Sequence, residues 1–227
     1  MIETRQLSVA VGPVSILEQV DLQATPGAVI GVVGHNGAGK TTLMRTLVGA
    51  LPASSGQVLL DGHDVTAWPT RQRVQLGIGY MPEDRRLVPE LTVRANIELP
   101  LEVARLAPAE RTRRIDGVLQ MIPELVPLIQ RRGNQLSGGQ QKLAALARAI
   151  CQGQRLLLLD EPFEGVAPAL VERLATVLRA LRRQGPTIVV TDSEGANLQG
   201  LCDLRFAIER GRVRPDHLVH HNEETLP

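Results

Sequence analysis

One eight-residue run, Gly34-His35-Asn36-Gly37-Ala38-Gly39-Lys40-Thr41, constrains the fold of this chain more than any other feature. It fits the G-x-x-x-x-G-K-[ST] pattern at every fixed position, and its context is right: the apolar Val29–Val33 precedes it and the helix-forming Thr42–Val48 follows. Strand, glycine-rich loop and helix in immediate succession are the repeating piece of an α/β core. Without a Cβ, glycine lets the backbone wrap closely, so successive N–H groups and the helix N-terminus converge on one point and form an anion cradle. The pattern predicts that Lys40 reaches the β and γ phosphates of ATP and that the Thr41 hydroxyl ligates Mg²⁺. Gly34, His35, Asn36, Gly37, Ala38, Gly39 and Thr42 complete the cradle. An ordinary glycine-rich turn is the competing reading, and it leaves the coincidence of all fixed positions with both flanks unexplained.

Further pieces of such a core recur downstream. Leu156–Leu159 and Ile188–Val190 are short, wholly apolar runs, as expected of strands buried on both faces of a parallel sheet. Leu143, Leu146, Ala147 and Ile150 keep helical spacing, as do Leu170, Leu174, Val177, Leu178 and Leu181. Two regions differ. Residues 1–28 hold Ile2–Val9 and Val20–Ala24 around the turn Gly12-Pro13, and residues 56–66 hold Val58–Leu60 before Asp61-Gly62; together they read as a small antiparallel β layer. Residues 84–135, with a helix expected from Glu110 to Ile122, are too rich in apolar side chains for a solvated linker and read as a helical subdomain. The expectation is one domain over 1–227: α/β, a P-loop NTPase core with a parallel sheet, an N-terminal antiparallel β layer and a short helical subdomain. With 227 residues, 43% of them hydrophobic, the chain can bury such a core.

Charge and aromatic content narrow the function. Lys+Arg number 25 against 24 Asp+Glu, and aromatics are only 2%, so neither bulk charge nor base stacking points to nucleic acid as a partner. Cys151 and Cys202 are too far apart in sequence for a disulfide framework or a metal cluster, which fits a reducing compartment. No run approaches the roughly eighteen apolar residues of a membrane span, and Met1–Ala10 lacks the marks of a signal peptide. Any membrane role requires another polypeptide.

Two more segments carry chemistry. Leu156–Leu159 delivers Asp160 and Glu161 at the C-terminal end of a buried strand, where ligands of open α/β sheets bind. Beside a P-loop, Asp160 is placed to hold the Mg²⁺ shell and Glu161 to polarise the attacking water. Asn134-Gln135-Leu136-Ser137-Gly138-Gly139-Gln140-Gln141 opens the helix that contains Leu143–Ile150. Ser137 can cap that helix while the glycines keep its N–H groups open, giving a second anion site with a favourable dipole.

With these motifs the chain resembles, over essentially its whole length, the ATP-binding cassettes of ABC transporters. The resemblance implies that the signature segment at 136–141 closes on a nucleotide held by a second cassette, so that Ser137, Gly138, Gly139 and Gln140 serve the partner's ATP in a homo- or heterodimer. Gly77–Arg86, followed by Leu91-Thr92-Val93 and Asn96-Ile97, and Glu161-Pro162-Phe163-Glu164-Gly165-Val166-Ala167-Pro168 look like the corresponding stretches of branched-chain amino acid uptake ATPases. That likeness implies a peripheral subunit on the cytoplasmic face of the membrane. It would work with transmembrane permease subunits and, indirectly, an extracytoplasmic binding protein, to import hydrophobic amino acids or short amides.

Three positions depart from the family pattern. Val11 stands where an aromatic side chain stacks on adenine, and its isopropyl group offers no π face, which weakens base recognition by about 1–3 kcal/mol. Glu83 replaces a loop glutamine and remains a hard oxygen ligand for the metal. Ser193 occupies the switch histidine position in Thr187–Glu194, and its hydroxyl is too short to stand where an imidazole would, so only a water could bridge it to the γ phosphate. His217, His220 and His221 read as a solvated tail rather than a zinc site. Arg111, Arg113, Arg114, Arg131 and Arg132 read as a solvated face more readily than as a headgroup surface. Two other functions compete with import. A cytosolic cassette of repair or translation is expected to show paired cassettes or long insertions, which this chain lacks. The other rival is a regulatory cassette with little turnover, which the changes at Val11 and Ser193 favour and Glu161 opposes.

Overall fold

The computed structural model describes residues 2–84, 87–183 and 185–216. His217, His220, His221, Arg85 and Arg86 lie outside that set.

Two sheets share the structure. The first is antiparallel, in the order β2-β1-β4-β5, from Ile2–Val11 (β1), Val14–Ala24 (β2), Ser55–Leu60 (β4) and His63–Asp64 (β5). The second has the order β10-β9-β3-β8-β7-β6, from Val29–Val33 (β3), Ile78–Met81 (β6), Leu156–Leu159 (β7), Thr187–Asp192 (β8), Leu204–Glu209 (β9) and Arg212–Pro215 (β10). Its first five strands in space from β6 to β9 are parallel, but β10 folds back antiparallel on β9, so the expected parallel sheet is in fact mixed at one edge. A tight turn through Arg210-Gly211 permits that hairpin, and no crossover helix is needed there.

Alternation along the parallel strands explains their all-apolar sequence. Leu157, Leu159, Ile188 and Val190 face one core, with the helices Val93–Val103 (α3), Pro108–Met121 (α4), Gly138–Gln152 (α5) and Pro168–Arg182 (α6). Leu156, Leu158, Val189, Ile30 and Val32 face the other, shared with Lys40–Leu47 (α1) and the antiparallel sheet. A strand covered on both faces has no position left for a polar residue. Gly79 of β6 is required by packing: a Cβ there would come within 2.0 Å of the Ala149 carbonyl on α5.

Residues 84–135 hold α3, α4 and two short 3-10 turns. Thr92 caps α3 by accepting from the Ala95 amide at 3.1 Å. Fully buried Asn96 bonds the backbone of Val88, Leu91 and Thr92, which gives the Leu91-Thr92-Val93…Asn96 stretch a physical reason. Arg111 pairs with Glu98 and Glu102, and Arg113 and Arg114 pair with Glu110.

The helix that follows the Gly34–Thr41 loop is braced from its far end. Arg73, in the helix Thr70–Gln75 (α2), is 1% exposed and donates to the carbonyls of Thr46 and Leu47, at 2.7 and 2.8 Å, and to those of Trp68 and Thr66. The first two belong to the C-terminal turn of α1, where carbonyls lack helical partners and the dipole is negative. Burial lowers the Arg73 pKa to about 10. Arg73→Met leaves four carbonyls without this donor and is expected to destabilise the fold by about 3 kcal/mol. For a chain of this size that is a fall of roughly 6–12 °C in Tm, readable by thermal unfolding; an unchanged Tm would show the brace to be dispensable.

Candidate functional site

The loop between β3 and α1 is shaped by close backbone approach. A Cβ on Gly34 would fall 2.2 Å from the Ile208 carbonyl, so only glycine lets this loop lie against β9. The Gly34 amide donates to the Asp192 carbonyl, and the Gly211 amide donates to that of Ala38, which ties the loop to the ends of β8 and β9. Lys40, 5% exposed, curls back over the loop: its ammonium donates to the carbonyls of Gly34 and His35 and lies 3.0 Å from Glu161 Oε1. Asn36, Gly37, Gly39, Lys40, Thr41, Thr42, Glu83, Glu161 and Ile16 line one cleft of about 450 Å³. His35 is exposed beside it, and Ala38 is half-buried.

The two carboxylates have different surroundings. Asp160 is fully buried and accepts hydrogen bonds from Thr191, Thr41 and Tyr80, the first at 2.9 Å and the last at 3.3 Å. Burial raises its pKa, and the hydrogen bonds oppose the rise. Glu161, 3% exposed, places Oε1 against Lys40 and against the Ser193 hydroxyl at 2.8 Å, while Oε2 is buried with no partner. Ser193 Oγ also lies 3.0 Å from the Asn36 side-chain oxygen. A hydroxyl has one proton, and the carboxylate is the stronger acceptor, so the Asn36 contact is best made with its amide turned to donate.

Glu161 also has an unusual backbone. Its φ of 48° is left-handed, which costs a non-glycine residue on the order of 1–3 kcal/mol and persists only where neighbours enforce it. Both sides of the residue are held: its amide donates to Thr191 Oγ1 at 2.9 Å, and its carbonyl accepts from Lys142 Nζ at 3.0 Å. Thr191 thereby serves both acids at once. Thr191 and Lys142 carry no motif signal, because each reaches the site through tertiary packing.

The donor set fits Mg²⁺ with ATP. Thr41 already bonds Asp160, and both line a second cleft of about 460 Å³ with Glu83, Asp84, Arg45, Arg148 and Tyr80. The Glu83 pKa is raised by burial and then by the carboxylates of Glu164, Asp160, Glu161 and Asp84, the repulsion that a cation relieves. Mg²⁺ keeps several waters and takes one or two protein carboxylates beside the phosphates, which Asp160 and Glu83 can supply.

The signature residues stand elsewhere. Ser137 Oγ accepts from the Gln140 amide at 3.4 Å, and Gln140 Oε1 accepts from the Ser137 amide at 3.0 Å, a reciprocal cap at the start of α5. Ser137 and Gly138 are exposed, Gly139 and Gln140 partly so, and none of the four lines either cleft above. Val11 is 55% exposed at the tip of the β1–β2 hairpin, while Ile16 is the residue of that hairpin that lines the cleft beside the Gly34–Thr41 loop. Among the described residues no helix is long and apolar enough to cross a membrane.

Comparison with known proteins agrees with this geometry. The chain is 33% identical over 198 residues to the lipopolysaccharide export system ATP-binding protein LptB of Acidithiobacillus ferridurans, covering 87% of this chain and 82% of the relative. It is 30% identical over 213 residues to the high-affinity branched-chain amino acid transport ATP-binding protein BraG of Pseudomonas aeruginosa, covering 94% and 91%. Its fold superposes on a dimeric structure of MJ0796, a bacterial ABC transporter cassette, with a TM-score of 0.86 and 25% identity, covering 97% of this chain and all of that one. The family described as ABC transporter matches residues 17–164. Phosphate loop, paired acids, capped signature helix and these likenesses agree, and the chain belongs to the ABC transporter family as an ATP-binding cassette ATPase.

Proposed function

We propose that this chain hydrolyses ATP as one of two cassettes in a membrane transporter, with Lys40, Thr41, Asp160 and Glu161 working on its own nucleotide and Ser137–Gln140 closing on the partner's. The carrying observation is Glu161, whose Oε1 is held by Lys40 and Ser193 while buried Oε2 is unpartnered. ATP offers Lys40 better acceptors than its own loop carbonyls, so the ammonium leaves Gly34 and His35 for the phosphates. Ser193 keeps Oε1 in place, and Oε2 takes a hydrogen bond from the water that attacks the γ phosphorus, orienting it and drawing off its proton. Mg²⁺, when held by Thr41 and Asp160 with Glu83 in support, neutralises phosphate charge. On this reading a serine suffices at position 193, because it acts on Glu161 and needs no imidazole's reach.

Import of hydrophobic amino acids or short amides, with an extracytoplasmic binding protein upstream, is the finer reading. It is supported by the Gly77–Arg86 and Glu161–Pro168 stretches and by the BraG likeness. Export of a lipopolysaccharide-like lipid is the second reading, favoured by the LptB likeness. Affinity purification from membranes separates them. Co-purification of a permease together with an extracytoplasmic binding protein supports import, a permease tied to lipid export supports the second, and a ribosome or DNA complex rejects both.

A further inference from the structure

We infer that Lys142 is a positioning residue for hydrolysis: from the signature helix it fixes the main chain of Glu161 in the left-handed turn that aims the carboxylate into the phosphate cleft. The inference rests on the reading of Glu161 as the group that orients water. Lys142 lies on α5, five residues past the cap Ser137, and is 1% exposed. An ammonium this deeply buried incurs a desolvation cost that an aliphatic side chain would not. The ammonium instead donates to the Glu161 carbonyl at 3.0 Å and the Glu164 carbonyl at 2.6 Å. These two carbonyls bracket a tight turn in which the Glu164 amide also donates to the Glu161 carbonyl at 3.2 Å. With Thr191 gripping the Glu161 amide from β8, the residue is held from both sides in a conformation it would otherwise leave. Lys142 therefore links two functional faces. The helix whose exposed N-terminus is read as meeting the partner's nucleotide is also the helix that holds the main chain of Glu161.

Lys142→Met preserves length and shape and removes the donor. Equilibrium ATP binding and steady-state kinetics of the assembled transporter should show kcat lowered by about 10- to 100-fold, the scale of a misplaced catalytic group, with ATP affinity and KM within about twofold of the parent. Lys142→Arg, which can reach both carbonyls, should recover part of kcat. Added to Glu161→Gln, Lys142→Met should cost little more, since the residue through which it acts is already disabled. If Lys142→Met fails to fold, Lys142→Gln carries the same comparison. Parent-like kcat, or parallel loss of kcat, affinity and Tm with no recovery in Lys142→Arg, would overturn the inference and leave Lys142 a structural prop. A fully active Glu161→Gln would instead overturn the reading of Glu161 on which it rests.

Discussion

Glu161→Gln is expected to retain ATP binding and to lose at least about a hundredfold in turnover, the scale for removing a positioned base. The amide keeps the size of the side chain and can still contact Lys40 and Ser193 at one end, which sit 3.0 and 2.8 Å from Oε1 in the carboxylate. What it cannot do is accept a proton from water at the buried, unpartnered position of Oε2. Binding measured by a fluorescent ATP analogue and turnover measured by phosphate release separate the two effects. Hydrolysis at the parent rate would transfer the water-orienting role away from Glu161.

Lys40→Ala is expected to act at the other step. The contacts of its ammonium, to Gly34, His35 and Glu161, are made inside the loop at 5% exposure, so on the proposed function the cation is pre-placed for phosphate charge. Charge-assisted hydrogen bonds of this kind contribute about 1.5–3 kcal/mol each, which predicts a loss of ATP affinity of roughly a hundredfold or more. The mutation also leaves Glu161 without its cation, so turnover of residual bound ATP should fall as well. Equilibrium binding at physiological salt decides it: parent-like affinity would remove Lys40 from the phosphate site.

What could be read from the chain alone was whatever is contiguous. The cradle, the Leu156–Glu161 strand with its acids and the signature segment each occupy a single stretch, and each is found where its local chemistry predicts: loop between β3 and α1, end of β7, start of α5. The rest depended on register. β7 pairs with β8 so that Leu159 faces Val190, which puts Thr191 beside Asp160 across 31 residues of sequence. Lys142 looks like an ordinary polar residue following a cap, and only the packing of α5 against the 161–164 turn turns it inward. The same limit explains the strands. Ile78–Met81 is short and interrupted by Gly79, a residue poor in strand preference that the crossing of α5 requires. In β9 the burial pattern is broken and mostly partial, and the antiparallel return of β10 has no signature beyond a turn.

The contact at Ser193 shows what a motif comparison leaves out. Judged against an imidazole, serine is short; judged against where Glu161 stands, its hydroxyl is at hydrogen-bonding distance. That distance is a property of the fold and cannot be read from the motif.

The two-cassette sandwich is tested most directly at Ser137. Cys151 and Cys202 are buried, and burial pushes both thiols up to about 12, so Ser137→Cys would carry the one accessible thiol among the described residues. Labelled there with a benzophenone maleimide in the Glu161→Gln background and irradiated in membranes, the chain should cross-link to the P-loop peptide of a second cassette, its own copy or an unlike one. That product should form with ATP and Mg²⁺ and be lost when nucleotide is withheld. Cross-linking that ignores ATP, or that reaches no P-loop peptide, would contradict the account.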